Sequence, residues 1–152
     1  MEIAEMTSHD AVLATLEEYA QAYCAKDTDR LMAVFDDGDG ISVIGTGADE
    51  LYSDRVVVRA LFERNFAEAT ASRFEWHWQD VVATDDFAVV ATTLTIHLDT
   101  ATGPLQVSVR WTVALVQRGD RWRWLHRHAS AAAGGQDKGM AYPTDRTAQG
   151  AT

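Results

Sequence analysis

The most chemically loaded stretch of the chain is Trp122-Arg123-Trp124-Leu125-His126-Arg127-His128-Ala129-Ser130, in which two histidines stand one residue apart. Imidazole titrates near neutrality, which suits it to moving protons. On a strand, alternation puts Trp122, Trp124, His126, His128 and Ser130 on one face and Arg123, Leu125, Arg127 and Ala129 on the other. The first face is then aromatic with three polar tips, as small-molecule pockets often are. Two other readings compete. Two imidazoles on one strand face can hold a metal, with Asp80 or His97 supplying a third ligand. Alternatively, the pair only satisfies hydrogen bonds beneath aromatic packing. Neighbours depend on the preceding hairpin. A two-residue Gly119-Asp120 turn sets Val113 against His126 and Trp111 against His128, whereas one bulge brings Arg110 and Thr112 alongside them instead.

Tyr19 and Tyr23 lie four apart on a helical stripe and can aim hydroxyls into whatever that helix covers. Trp76 and Trp78 share a strand face with Asp80 and read as core or subunit-interface residues. Arg118, Arg121, Arg123 and Arg127 form the densest basic cluster. It reads as a strand face pairing with acidic helices or, less simply, as a device for recognising a small anion. Gly45-Thr46-Gly47 follows a strand and precedes a helix, but it lacks the third glycine of a dinucleotide loop and the Gly-Lys-Ser/Thr of a phosphate loop. A plain loop at the rim of the fold is expected there.

These residues need elements to hold them. Thr7 or Ser8 caps a first helix, whose stripe is Val12, Leu13, Leu16, Tyr19, Ala20 and Tyr23. Asp27-Thr28-Asp29 breaks it and caps a short second helix carrying Leu31, Met32 and Phe35. Ile41–Ile44 reads as a short strand. Ser53 or Asp54 caps a third helix with Val57, Val58, Leu61, Phe62 and Phe66. After about residue 72 the period becomes two, predicting strands near 73–83, 87–98, 105–117 and 121–131 joined by turns. Helices first and hairpins after is an α+β order, with the helices packed in the concave face of a strongly curved antiparallel sheet.

At 152 residues the chain fits one domain, expected over 1–131, with a flexible or partner-covering tail at 132–152. Its formal net charge is -10. The first fifty residues carry twelve acids against two bases, and the remainder is balanced. Such a chain repels phosphate backbones, so no nucleic-acid partner is expected. One cysteine excludes an internal disulfide. No run of some eighteen apolar residues suggests a membrane span, and the acidic start lacks a signal-type apolar region, so a cytoplasmic location is expected. Large apolar residues in opposite phases, Trp76 and Trp78 against Leu94 and Ile96, imply a sheet apolar on both faces. A homodimer through the convex face follows.

This order of elements, the Ile-Ser-Val-Ile-Gly-Thr-Gly segment and the Trp122…His126-Arg127-His128-Ala129-Ser130 ending resemble the nuclear transport factor 2-like superfamily, and within it the SnoaL-like branch. The ending is also similar to that of the calcium/calmodulin-dependent protein kinase association domain. The resemblance spans about residues 8–131. It implies a cone with an internal pocket for a small apolar or carbonyl-containing molecule, with cyclase, dehydratase or isomerase-type acid–base chemistry or, alternatively, no turnover at all. Catalytic roles fall to His128, His126 and Tyr19, and substrate contacts to Tyr23, Arg110, Trp111, Trp124 and Ser130. No metal and no cofactor are expected. Against ketosteroid isomerase, on the same fold, Tyr19 matches the oxyanion-donating tyrosine. Ile44-Gly45 stands where the base would be and Thr112 near the second acid, so that mechanism does not transfer.

Overall fold

The computed structural model describes residues 7–38 and 40–144; the rest, including the end of the expected tail, lies outside the described residues. Helix α1 (Ser8–Cys24) starts where Thr7 Oγ1 accepts the Asp10 N–H at 3.1 Å, and buries Val12, Leu16 and Tyr19. Asp27 caps α2 (Thr28–Met32) by accepting the Arg30 N–H, and Asp54 caps α3 (Arg55–Glu68) by accepting that of Val57. Each carboxylate satisfies an amide that the first helical turn leaves free and sits at the positive end of the helix. Val58, Leu61 and Phe62 are the buried stripe of α3, while Val57 is 40% exposed.

Between α2 and α3 run β1 (Ser42–Ile44) and a short β2 (Leu51–Ser53) that the sequence reading did not mark. Then come β3 (Ala69–Ala83), β4 (Phe87–Thr100), β5 (Gly103–Arg118) and β6 (Arg121–Ser130). The sheet order is β2-β1-β6-β5-β4-β3. The last four strands form an antiparallel meander with no helix between them, as expected, and β1 joins β6 in parallel. Arg118 pairs with Arg121 around a two-residue turn in which Gly119 has φ +64. That conformation favours glycine at the first turn position.

The helices pack on the inner face of the sheet around one aromatic cluster. Tyr19 from α1 stacks on Trp124 of β6 with ring centroids 4.8 Å apart and meets Trp111 of β5 edge-on at 5.2 Å. The Trp76 indole N–H donates to Glu17, tying β3 to the same helix. On the outer side, Arg118 donates two hydrogen bonds to the Asp36 carboxylate, at 3.0 and 3.3 Å. That guanidinium holds the Asp36 carboxyl below its ordinary pKa. Arg123 donates to the Ala33 carbonyl at 2.9 Å. Two of the four clustered arginines therefore join the sheet to the segment that follows α2.

Three irregularities interrupt strict alternation. In β6 the pairing passes from Leu115–Trp124 directly to Ala114–His126, leaving Leu125 as a bulge. The bulge lies where the free edge of β6 changes neighbour. Trp124 exchanges backbone hydrogen bonds with Val34 and Asp36, while 126–128 pairs with β1. Beyond it every side chain changes face. In β3 one irregularity falls between Ala71 and Arg73 and another between Trp76 and Gln79. Trp76 pairs with Leu94, so both are on the inner face, and the expected opposition of tryptophans against Leu94 and Ile96 does not exist. Trp78, inside the irregularity, is exposed.

Candidate functional site

A cavity of about 240 Å³ opens between the sheet and the ends of α1 and α3. Its wall on β4 and β5 is apolar, made by Ile96, Leu98, Val107, Val109 and Trp111. Tyr23 comes from α1, and Asn65 and Glu68 from the last turn of α3. Gly45, Thr46 and Glu50, between β1 and β2, form part of the rim. Arg64 of α3, Ala69 of β3, and Arg127 and Ala129 of β6 complete the lining.

Arg127 is the unusual member. The bulge at Leu125 turns it inward, where it is only 8% exposed. Its Nη1 donates to the Tyr19 hydroxyl at 3.1 Å, and its guanidinium carbon lies 5.2 Å from the centre of the Trp111 ring. Its buried Nε has no hydrogen-bond partner among the described residues. Burial pushes the Tyr19 phenol well above its ordinary pKa, with the Arg127 charge pulling it only partly back, so Tyr19 keeps its proton. Tyr23 is raised too, again mainly by burial.

The Gly45–Gly47 loop serves this rim. The Gly47 N–H donates to Glu50 Oε1 at 2.8 Å, and Arg64 donates to Glu50 Oε2 at 2.8 Å and to the Tyr52 hydroxyl at 3.1 Å. A Cβ on Gly47 would sit 2.6 Å from Glu50 Oε1, and one on Gly45 2.9 Å from Glu50 Cδ. The two glycines are therefore small because they clasp a carboxylate of their own chain.

The residues singled out from the sequence are divided among three places. Tyr23 and Trp111 line the cavity. Tyr19 and Trp124 are fully buried behind it, and Tyr19 touches the site through Arg127. His126, His128, Arg110 and Ser130 lie on the outer face, so the expectation that the histidines share a cavity with Tyr19 is corrected, because the bulge inverts the strand after Trp124. The same bulge sets Thr112 opposite His128 and Arg110 opposite Ser130, whose hydroxyl accepts from Arg110 Nε at 3.1 Å. His126 Nδ1 lies 2.7 Å from Ser42 Oγ in a shallow outer groove with Ile44 and Leu51. Burial holds the His126 pKa below its ordinary value, with the neighbouring His128 and Arg127 adding to the effect. The two imidazole centres are 6.3 Å apart, and among the described residues no three of His, Cys, Asp and Glu gather as metal ligands.

Arg127, Asn65, Glu50, Arg64 and Glu68 were not named as site residues in advance. For Arg127 a signal existed: it belonged to the arginine cluster for which anion recognition was one reading, and a bulge was one of the two registers. For the others, the sequence carries no comparable mark.

A half-open cone of helices on a curved sheet, with a cavity at its inner face, defines the nuclear transport factor 2-like class. The chain belongs to the SnoaL-like domain family, whose model matches residues 12–134. Among solved structures it is similar to a candidate calcium/calmodulin-dependent protein kinase II association domain from Xanthomonas campestris, at 18% identity, TM-score 0.74, covering 88% of this chain and 94% of that one. The kinase II hub of S. rosetta aligns at 18% identity and TM-score 0.70, over 85% of this chain and 100% of the other. A candidate dehydratase of the nuclear transport factor 2-like family from Streptomyces avermitilis aligns at 17% identity and TM-score 0.69, over 82% and 96%. At such identities the likeness is one of fold. No curated protein matches the chain. Among the described residues, no helix is long and apolar enough to cross a membrane.

Proposed function

We propose that this protein binds a small apolar molecule bearing a carbonyl-type oxygen, held in the inner cavity with the oxygen toward Arg127. The observation that carries this is one cavity with an apolar wall on β4 and β5 and a buried hydrogen-bond donor at its inner side. That combination fixes orientation with a single polar contact while the wall supplies affinity. Acid–base turnover of the cyclase, dehydratase or isomerase type, with His126 or His128 as proton shuttle, needs the histidines to meet the ligand. Their place on the outer face favours binding without histidine-driven turnover. The candidate dehydratase among the similar folds is the support for an enzymatic alternative.

The test uses acetophenone as probe. In wild-type protein it should raise the melting temperature and change tryptophan fluorescence, since Trp111 lines the cavity. Val109→Trp, which fills the cavity, should abolish both effects. Equal responses from the two proteins would defeat the reading.

Pairing of two copies through the outer sheet face is a second part of the proposal, with the chain in the cytoplasm. What supports the pairing differs from the sequence argument. Val82, Phe87 and Val89 are 62, 53 and 46% exposed at one end of that face, and Val82 pairs directly with Val89. Smaller side chains, Ala91, Thr93, Thr112 and Ala114, continue the face and would let a second sheet approach. Light scattering after size exclusion should give twice the 16.7 kDa of one chain. Phe87→Asp with Val89→Asp should return it to one. A wild-type mass of one chain at micromolar concentration would end this part.

A further inference from the structure

We infer that the ligand of the inner cavity is a small monocarboxylate, its two oxygens on the Arg127 guanidinium and its body against Trp111, Val109 and Ile96. The inference rests on the cavity being a ligand site and adds the chemical class of the ligand.

Arg127 is a cation withdrawn from water without a matching anion. A guanidinium offers five N–H donors in a planar fork. Here one arm meets the Tyr19 hydroxyl, a neutral acceptor, and the buried Nε meets no acceptor among the described residues. The Trp111 ring at 5.2 Å gives electrostatic relief but accepts no directed hydrogen bond there. The cavity's two carboxylates are not paired with Arg127. Glu50 is held by Arg64 and the Gly47 amide, and Glu68 is exposed at the end of α3. A buried charge is ordinarily paired, so the missing anion is one that enters the cavity.

Three features narrow that anion. A planar fork matches a carboxylate through two parallel N–H···O bonds. Glu50 and Glu68 on the lining repel a second negative charge, and the other lining cation, Arg64, is already bound to Glu50. A dianion such as a phosphate ester is disfavoured on both counts. At about 240 Å³ the cavity is below the roughly 300 Å³ at which drug-sized pockets begin, so a one-ring or short-chain acid is the size that fits.

The experiment compares carboxylates with methyl ketones of nearly the same shape: benzoate with acetophenone, and trans-cinnamate with benzylideneacetone. Isothermal titration at pH 7.5 is run on wild-type protein, Arg127→Met and Arg127→Lys. Each wild-type carboxylate should bind at least tenfold tighter than its ketone. In Arg127→Met that ratio should collapse to within about twofold to threefold, chiefly through lost carboxylate affinity, and Arg127→Lys should restore only part of it because the fork is lost. Ketones binding as well as carboxylates in wild type would overturn this inference and leave the cavity reading standing. So would a carboxylate preference that survives Arg127→Met. If neither kind of probe binds, both are overturned. A methionine fills much of the arginine's space without its charge, and replacing buried charges by apolar groups is commonly tolerated.

Discussion

Trp124→Ala should destabilise the domain by about 3–5 kcal/mol, the range for deleting a large buried aromatic ring. Trp124 is wholly buried, stacks on Tyr19 at 4.8 Å and meets Phe35 edge-on at 5.5 Å. Its indole N–H donates to Thr15 Oγ1 at 2.8 Å, which ties β6 to α1. Its backbone bonds to Val34 and Asp36 hold the segment after α2 against the same strand. Few domains of this size have more than 5–15 kcal/mol to lose, so a large fraction of the stability goes with one ring. Urea unfolding followed by circular dichroism measures it, since the substitution alters tryptophan emission. Trp124→Phe should recover most of the loss, leaving about 1–3 kcal/mol for the forfeited hydrogen bond and the smaller ring. A loss under about 1 kcal/mol for the alanine variant would mean that the cluster is not the core it is described as.

The second large effect is a coupling. Tyr19→Phe removes only a hydroxyl, yet that hydroxyl is the protein acceptor for Arg127 Nη1. Leaving a buried cation less satisfied should cost about 1–3 kcal/mol in the wild-type background. In an Arg127→Met background the hydroxyl has lost its donor, and removing it should cost almost nothing. The double-mutant cycle should therefore show a coupling of about 1–3 kcal/mol, within the range seen for contacting residues. Tyr19→Ala, which also empties the space between Trp111, Trp124 and Phe62, should fall near the 3–5 kcal/mol of the tryptophan deletion in either background. Additive single effects would mean that Arg127 and Tyr19 do not act on one another. The cycle needs no ligand, so it probes the buried pair independently of what the cavity holds.

Most of the architecture was legible along the chain because its signals are local. A capping side chain reaches an amide three residues away, as Thr7, Asp27 and Asp54 do. A helical stripe repeats within two turns, and Gly119-Asp120 declares a two-residue hairpin by itself. From those marks came the α+β order, the meander and the inner helix bearing Tyr19. The resemblance to the SnoaL-like branch rested on the same order of elements, with the histidine-bearing ending added.

What the tertiary structure decided is which way the last strand faces. Alternation predicts faces only while pairing is uninterrupted, and a single unpaired residue exchanges them all. Whether β6 bulges at Leu125 depends on its two edges at once. One is β5 across the hairpin; the other changes from Val34–Asp36 to β1, partners more than eighty residues back along the chain. No local pattern records that change of neighbour. It sends His126 and His128 outward, turns Arg127 into the cavity and so exchanges a proton-moving pair for a fixed buried charge. The irregularity between Trp76 and Gln79 acts in the same way on β3: Trp76 stays with Leu94 on the inner face, while Val82 faces outward beside Val89 of β4.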